Sequence, residues 1–103
     1  MPATQGIARS IEAPEELGLD TRIEFREVAI RELDGLPEGA ALAVDLVRTV
    51  RVDSAGLSAL MLIQRHAAGR HQRVVLLHPS DEMRFLLALT QMTDLFEQEA
   101  PKA

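Results

Sequence analysis

The longest apolar run of the chain lies near its middle, where Ala41 to Val47 is interrupted only by Asp45. Such a run predicts a central strand covered on both faces, as in a parallel sheet. Val74–Leu77 is a second, shorter run of the same kind. Gly6–Ala13 alternates imperfectly through Ile7, Arg9 and Ile11, which predicts a short edge strand ended by Pro14. Other stretches repeat at helical spacing instead. Phe25, Ala29 and Leu33, widened by Ile23, Ile30 and Leu36, predict a helix over Arg22–Asp34. Thr21 with Glu24 matches a capping box at its start, and Gly35 and Pro37 mark its end.

A second helix is predicted over Ser54–Ala68, ended by Gly69, with Leu57, Leu60, Met61, Ile63, Ala67 and Ala68 turned inward. Ser58, Arg65 and His66 fall on its solvent side. A third helix runs from Ser80, its N-cap, to about Met92, carrying Phe85, Leu86, Leu87 and Leu89. Thr93–Phe96 closes the pattern, with a last short strand at Phe96. The resulting β-α-β-α-β-α order predicts right-handed crossovers. The expected fold is a single α/β domain over residues 7–97, with about four strands in a mixed, partly parallel sheet and three main helices. Residues 1–6 read as frayed and 98–103 as a C-terminal tail.

Composition narrows the function. At 103 residues the chain suits one domain, and about two-thirds of its unfolded surface would be buried. A net charge of −5 gives no general attraction for nucleic acid or anionic membrane. Three phenylalanines, without Trp or Tyr, make a poor stacking platform for single strands. The absence of cysteine excludes disulfides, thiol catalysis and cysteine-held metals. No apolar run approaches the roughly 18 residues of a membrane helix, and the N-terminus lacks the apolar segment of a signal peptide. The expectation is a soluble, cytoplasmic domain that neither binds nucleic acid directly nor inserts into a membrane.

The stretch that carries chemistry is Val44–Leu62, where a strand leads through a turn into the second helix with Ser54 at its mouth. A serine there is expected to cap the helix, and the positive end of the dipole also suits a phosphate. Asp53 either bonds backbone N–H groups two residues on or orients Ser54. Gly56 in the first turn costs about 1 kcal/mol relative to Ala. A close approach by a neighbouring strand or by a partner's backbone would explain it. Val52–Gly56 lacks the first glycine of a nucleophile elbow, so a serine hydrolase is not expected. His66, His71 and His78 are spaced by five and seven, unlike a helical zinc pair. Arg65, His66, Arg70, His71 and Arg73 form a basic cluster best read as complementing a helix C-terminus. Neither GxxxxGK[ST] nor GxGxxG occurs, so no phosphate-cradling loop is present.

VDSAGL at Val52–Leu57, the preceding VDL, and the later HPSDEMRFLLALTQMTDLFE together resemble the STAS domain family. That family includes bacterial anti-sigma-factor antagonists and the cytoplasmic tails of sulphate transporters. The resemblance covers roughly residues 40–97, more weakly 20–39. It implies a binding protein rather than an enzyme, with no catalytic residue, metal or cofactor of its own. It places Ser54 at the serine phosphorylated in anti-sigma-factor antagonists, and Asp53, Ser54, Ala55, Gly56, Leu57 and Ser58 at the partner-binding surface. The implied partner is a serine-kinase-type anti-sigma factor, bound in the dephosphorylated state, with ATP and magnesium belonging to the kinase. The N-terminal region departs from the family, since only Gly18-Leu19-Asp20 echoes its Gly-x-Leu-Asp segment and the opening hairpin is short or irregular. RVDSAGL also resembles the small STAS subunit of bacterial phospholipid-transport ABC ATPases, in which Ser54 would be a structural cap. A component of a stress-sensing scaffold is a further alternative.

Overall fold

The computed structural model describes residues 6–98. The strands are β1 (Ile7–Glu12), β2 (Glu16–Leu17), β3 (Ala41–Asp45), β4 (Arg51–Val52), β5 (Arg73–Leu77) and β6 (Glu97–Gln98). The helices are α1 (Arg22–Asp34), α2 (Ser54–Gly69) and α3 (Asp81–Leu89), with a 3-10 turn at Thr93–Leu95. Four strands form the main sheet in the order β1-β3-β5-β6, and β2 pairs separately with β4. All of these pairings are parallel, not mixed, because every return between neighbours passes through a helical crossover. The opening hairpin is therefore replaced by a strand that pairs across the sheet with β3. The last strand forms one residue beyond Phe96, and residues 99–103 of the expected tail, like 1–5 of the expected lead-in, lie outside the described residues.

Each step across the main sheet goes the same way. Right-handed crossovers then place all three helices on one face. The core agrees: Leu42, Val44, Val74 and Leu76 of the sheet share one cluster with Leu33 of α1, Leu60 and Ile63 of α2, and Met83 and Leu87 of α3. β3, an interior strand between β1 and β5, is buried from Ala41 to Val44.

The helix ends were harder to read. At α1 the capping box does not form: the Thr21 hydroxyl donates to the Glu16 carbonyl at 2.6 Å and accepts from the Gly18 N–H at 3.1 Å. It is spent on closing the 16–21 loop. The far end of α1 is closed from a distance, by the buried Gln72 amide donating to the Leu33 and Leu36 carbonyls at 2.7 and 2.9 Å.

The other two helices end in Schellman motifs. After α2 the Gln72 N–H bonds to the Ala67 carbonyl and the His71 N–H to that of Ala68, with His71 at φ 56°. After α3 the Met92 and Gln91 N–H groups bond to the Leu87 and Ala88 carbonyls, with Gln91 at φ 60°. That motif stops α3 at Leu89, short of the expected Met92. Glycine is the usual residue at such positions, so neither stop shows in the composition.

Candidate docking surface at the mouth of helix α2

The mouth of α2 is built by the small β2–β4 pair. The Val50 and Arg51 N–H groups donate to the Glu15 carbonyl, and the Asp53 N–H donates to that of Leu17. This draws the fully buried Leu17 against the first turn of α2. A Cβ on Gly56 would collide with the Leu17 carbonyl. The close approach that this glycine requires is therefore made by strand β2.

Asp53, not Ser54, is the N-cap. Its backbone is extended (φ −118°, ψ −177°), and one carboxylate oxygen accepts from the Gly56 N–H at 3.0 Å. The other oxygen accepts from the Leu19 N–H at 3.2 Å. A side chain at Gly18 would strike this carboxylate, so Gly18 and Asp53 fit as a pair. The Gly56 N–H bond, seconded by the Leu19 and Ala55 N–H groups and the Arg22 charge, holds the Asp53 carboxyl below the usual carboxylate range, against partial desolvation.

The cap expected at Ser54 is thus corrected, together with the reading of that residue as a structural helix cap. Ser54 is the first residue inside the helix, it is exposed, and its hydroxyl makes no hydrogen bond among the described residues. Ser58 and Leu62 follow it on the exposed side at helical spacing. Of the six residues expected at a partner surface, Asp53, Ser54 and Ser58 are exposed and Ala55 is half-buried. Gly56 and Leu57 are buried, and shape the turn from beneath.

Four apolar side chains join this surface that the sequence pattern had not marked as exposed. Leu19 is 64% exposed, Ile23 52%, Val47 57% and Val50 72%. Val47 and Val50 read as continuations of buried strands, yet β3 ends at Asp45. There the Asp45 carboxylate accepts from the Val47 N–H at 3.0 Å and pairs with the His78 ring at 3.0 Å. Thr49 turns inward in their place, donating to the Pro14 carbonyl at 2.8 Å. Beside these residues a groove of about 500 Å³ runs along residues 14–21 to Arg51 and Asp53. Exposed apolar side chains around an ionised carboxylate and an unengaged hydroxyl suit protein contact.

The histidines and the basic cluster disperse. His66 sits on Asp34 at 2.7 Å, and Arg70 reaches the same carboxylate and the Leu36 carbonyl. Arg73 pairs with Glu97 at 2.7 Å. Of the cluster, Arg70 with His66 beside it therefore complements a helix C-terminus, that of α1 and not of α2, while Arg73 serves the sheet edge at β6. Among the described residues no three His, Asp or Glu side chains gather as a metal would need, and no helix is long and apolar enough to cross a membrane.

Comparison with known proteins bears on this architecture. None of the curated proteins matches the chain. Among solved structures, a candidate anti-sigma factor antagonist from Thermotoga maritima superposes with a TM-score of 0.74 at 16% identity, over 89% of this chain and 80% of its own. A sulfate transporter family protein from Wolinella succinogenes gives 0.68 at 18% identity, covering 87% and 70%. The anti-sigma factor antagonist SpoIIAA in its unphosphorylated form gives 0.67 at 17% identity, covering 90% and 79%. At these identities the likeness is one of fold. The family model described as Mlab, STAS domain, matches residues 3–97. With nearly the whole chain matched, the protein belongs to the STAS domain family.

Proposed function

We propose that the protein acts by binding, as an anti-sigma factor antagonist whose docking surface is switched by a phosphate on Ser54. The observation that carries this reading is the division of labour at the mouth of α2. Asp53 accepts from the Gly56 N–H as the cap, so the Ser54 hydroxyl is exposed and left over for chemistry. A phosphate there adds about −1.5 to −2 charge. The helix dipole favours it, so the fold can persist. The same charge stands beside the ionised Asp53 and among Leu19, Val50 and Leu62, where it would repel and hydrate a surface that a partner must dry. The partner would be a serine-kinase-type anti-sigma factor, itself supplying ATP and magnesium. One structural neighbour is named as an antagonist in an unphosphorylated form, which supports this direction.

A second reading is favoured by the description of the matching family model as Mlab. In it the same surface rests permanently on an ATPase subunit of a phospholipid transporter, and Ser54 is a neutral surface residue. Pull-downs from native lysate with wild type, Ser54→Ala and Ser54→Asp separate the two. The switch requires a kinase-like anti-sigma factor held by the first two baits and lost with the third. An ATPase held equally by all three would replace it with the transport reading.

A further inference from the structure

A second apolar surface lies on α3, away from the mouth of α2. Phe85 and Leu89, one helical turn apart, are 64% and 67% exposed, and the exposed Ala88 lies between them. They point away from the core, which α3 meets through Met83 and Leu87. A solvent-facing helix surface is ordinarily polar. Here the polar residues are confined to the start of the helix, where Asp81 and Glu82 are both exposed. This surface is carried by the crossover from β5 to β6, whereas the Ser54 surface adjoins β2 and β4, which follow β1 and β3. The two surfaces belong to different parts of the helical layer.

We propose that α3 docks an amphipathic helix of a second protein, one with an apolar row that ends in lysine or arginine at its C-terminal turn. The apolar row covers Phe85, Ala88 and Leu89, packing helix against helix. Lying antiparallel to α3, the partner brings its C-terminal turn beside Asp81 and Glu82, where a cation meets the Glu82 carboxylate, shares that of Asp81 with Arg84, and also complements the partner's own dipole. Charge selects this occupant over two others. An anionic bilayer would meet the acidic end of the face, and Arg84, the one cation of α3, is turned to Asp81. A second copy packed antiparallel would set Asp81 and Glu82 against the other α3's carboxyl end, where Thr90 and Gln91 supply no positive charge. The protein would then join two partners, only one of them governed by Ser54.

The test uses fluorescent 18-residue helical peptides with one apolar row and lysines in the last turn, in the first turn, or replaced by glutamate. Anisotropy titrations compare the full chain with Phe85→Ser/Leu89→Ser, Asp81→Lys/Glu82→Lys and Ser54→Asp, each checked for fold by circular dichroism. The last-turn lysine peptide should bind at least tenfold more tightly than the other two. Phe85→Ser/Leu89→Ser should weaken it at least tenfold, which corresponds to about 1.4 kcal/mol. Asp81→Lys/Glu82→Lys should reverse the preference toward the glutamate peptide, and Ser54→Asp should change nothing. Absence of binding, equal binding by Phe85→Ser/Leu89→Ser, or loss with Ser54→Asp overturns the proposal. So does a wild-type dimer in sedimentation that Phe85→Ser/Leu89→Ser dissociates, or Phe85-dependent binding to phosphatidylglycerol vesicles. Failure of the partner switch at Ser54 leaves these titrations unaffected, so the two readings fail separately.

Discussion

Helices α2 and α3 begin with the same two residue types in opposite order. α2 opens Asp53-Ser54 and α3 opens Ser80-Asp81. In α3 the serine is the cap, its hydroxyl accepting from the Met83 N–H at 3.0 Å, and the aspartate sits in the first turn where the dipole favours it. In α2 the aspartate is the cap and the serine is pushed into the helix, exposed and without a hydrogen bond among the described residues. One transposition separates a serine that holds structure from a serine left exposed at the surface. The third helical residue differs too, Gly56 in one and the buried Met83 in the other, because only α2 has a strand backbone lying across its first turn.

That last difference should give the largest effect. Gly56→Ala drives a methyl group into the Leu17 carbonyl, a backbone atom held by its bond from the Asp53 N–H. Overpacking of this kind costs about 3 kcal/mol. Urea unfolding should show a clearly lowered midpoint with an unchanged slope. A loss under 0.5 kcal/mol would mean that β2 is free to move away, and that the mouth of α2 is looser than its geometry implies.

The capping serines come next. Ser80→Ala removes a cap bond and should cost about 1 kcal/mol, whereas Ser54→Ala should stay within about 0.5 kcal/mol of wild type. Equal losses would erase the contrast between the two helix mouths. This pair of measurements also makes the pull-down interpretable, since a Ser54 variant that keeps its stability changes only the surface.

Much of this fold is legible in the sequence. β3, β5 and all three helices follow from apolar runs and helical stripes, which reflect burial directly. The cap of α3 was legible because Ser80, the first of its two candidate residues, directly follows Pro79, where the preceding strand has already ended. The transposed cap of α2 was not, because Asp and Ser are both good caps and only the backbone angles decide which residue is the last outside the helix. Gly56 signalled a close approach without identifying the neighbour, since Leu17 of β2 is 39 residues away in sequence. The exposed Val47, Val50, Phe85 and Leu89 were illegible for a plainer reason. Hydropathy counts them as core, and nothing in a local pattern distinguishes a core side chain from one left exposed.

The far ends of the same two helices offer a milder test. His71 and Gln91 hold left-handed backbone that costs an ordinary residue about 1 kcal/mol or more, part of which glycine returns through its greater freedom when unfolded. His71→Gly and Gln91→Gly should each stabilise the protein by roughly 0.5 kcal/mol, raising the melting temperature by a few degrees. Destabilisation at either would show that the side chain contributes more than its backbone strain removes.

The smallest effect at neutral pH concerns the charge on the α2 cap, which α3 lacks because serine does not titrate. The Asp53 pKa is depressed in the fold by the Gly56 N–H, helped by the Leu19 N–H. A depressed carboxyl contributes stability that is present above its unfolded pKa and lost as pH falls through the folded value. Asp53→Asn keeps a good capping side chain but removes the charge. Wild type should therefore be the more stable of the two at neutral pH, with the gap closing below about pH 4, the usual range for an aspartate. Thermal melts of both proteins across that range would show it. A gap that stays constant into acid would mean that the charge of the carboxylate adds nothing to stability at the mouth of α2, and that the cap holds there through its hydrogen bonds alone.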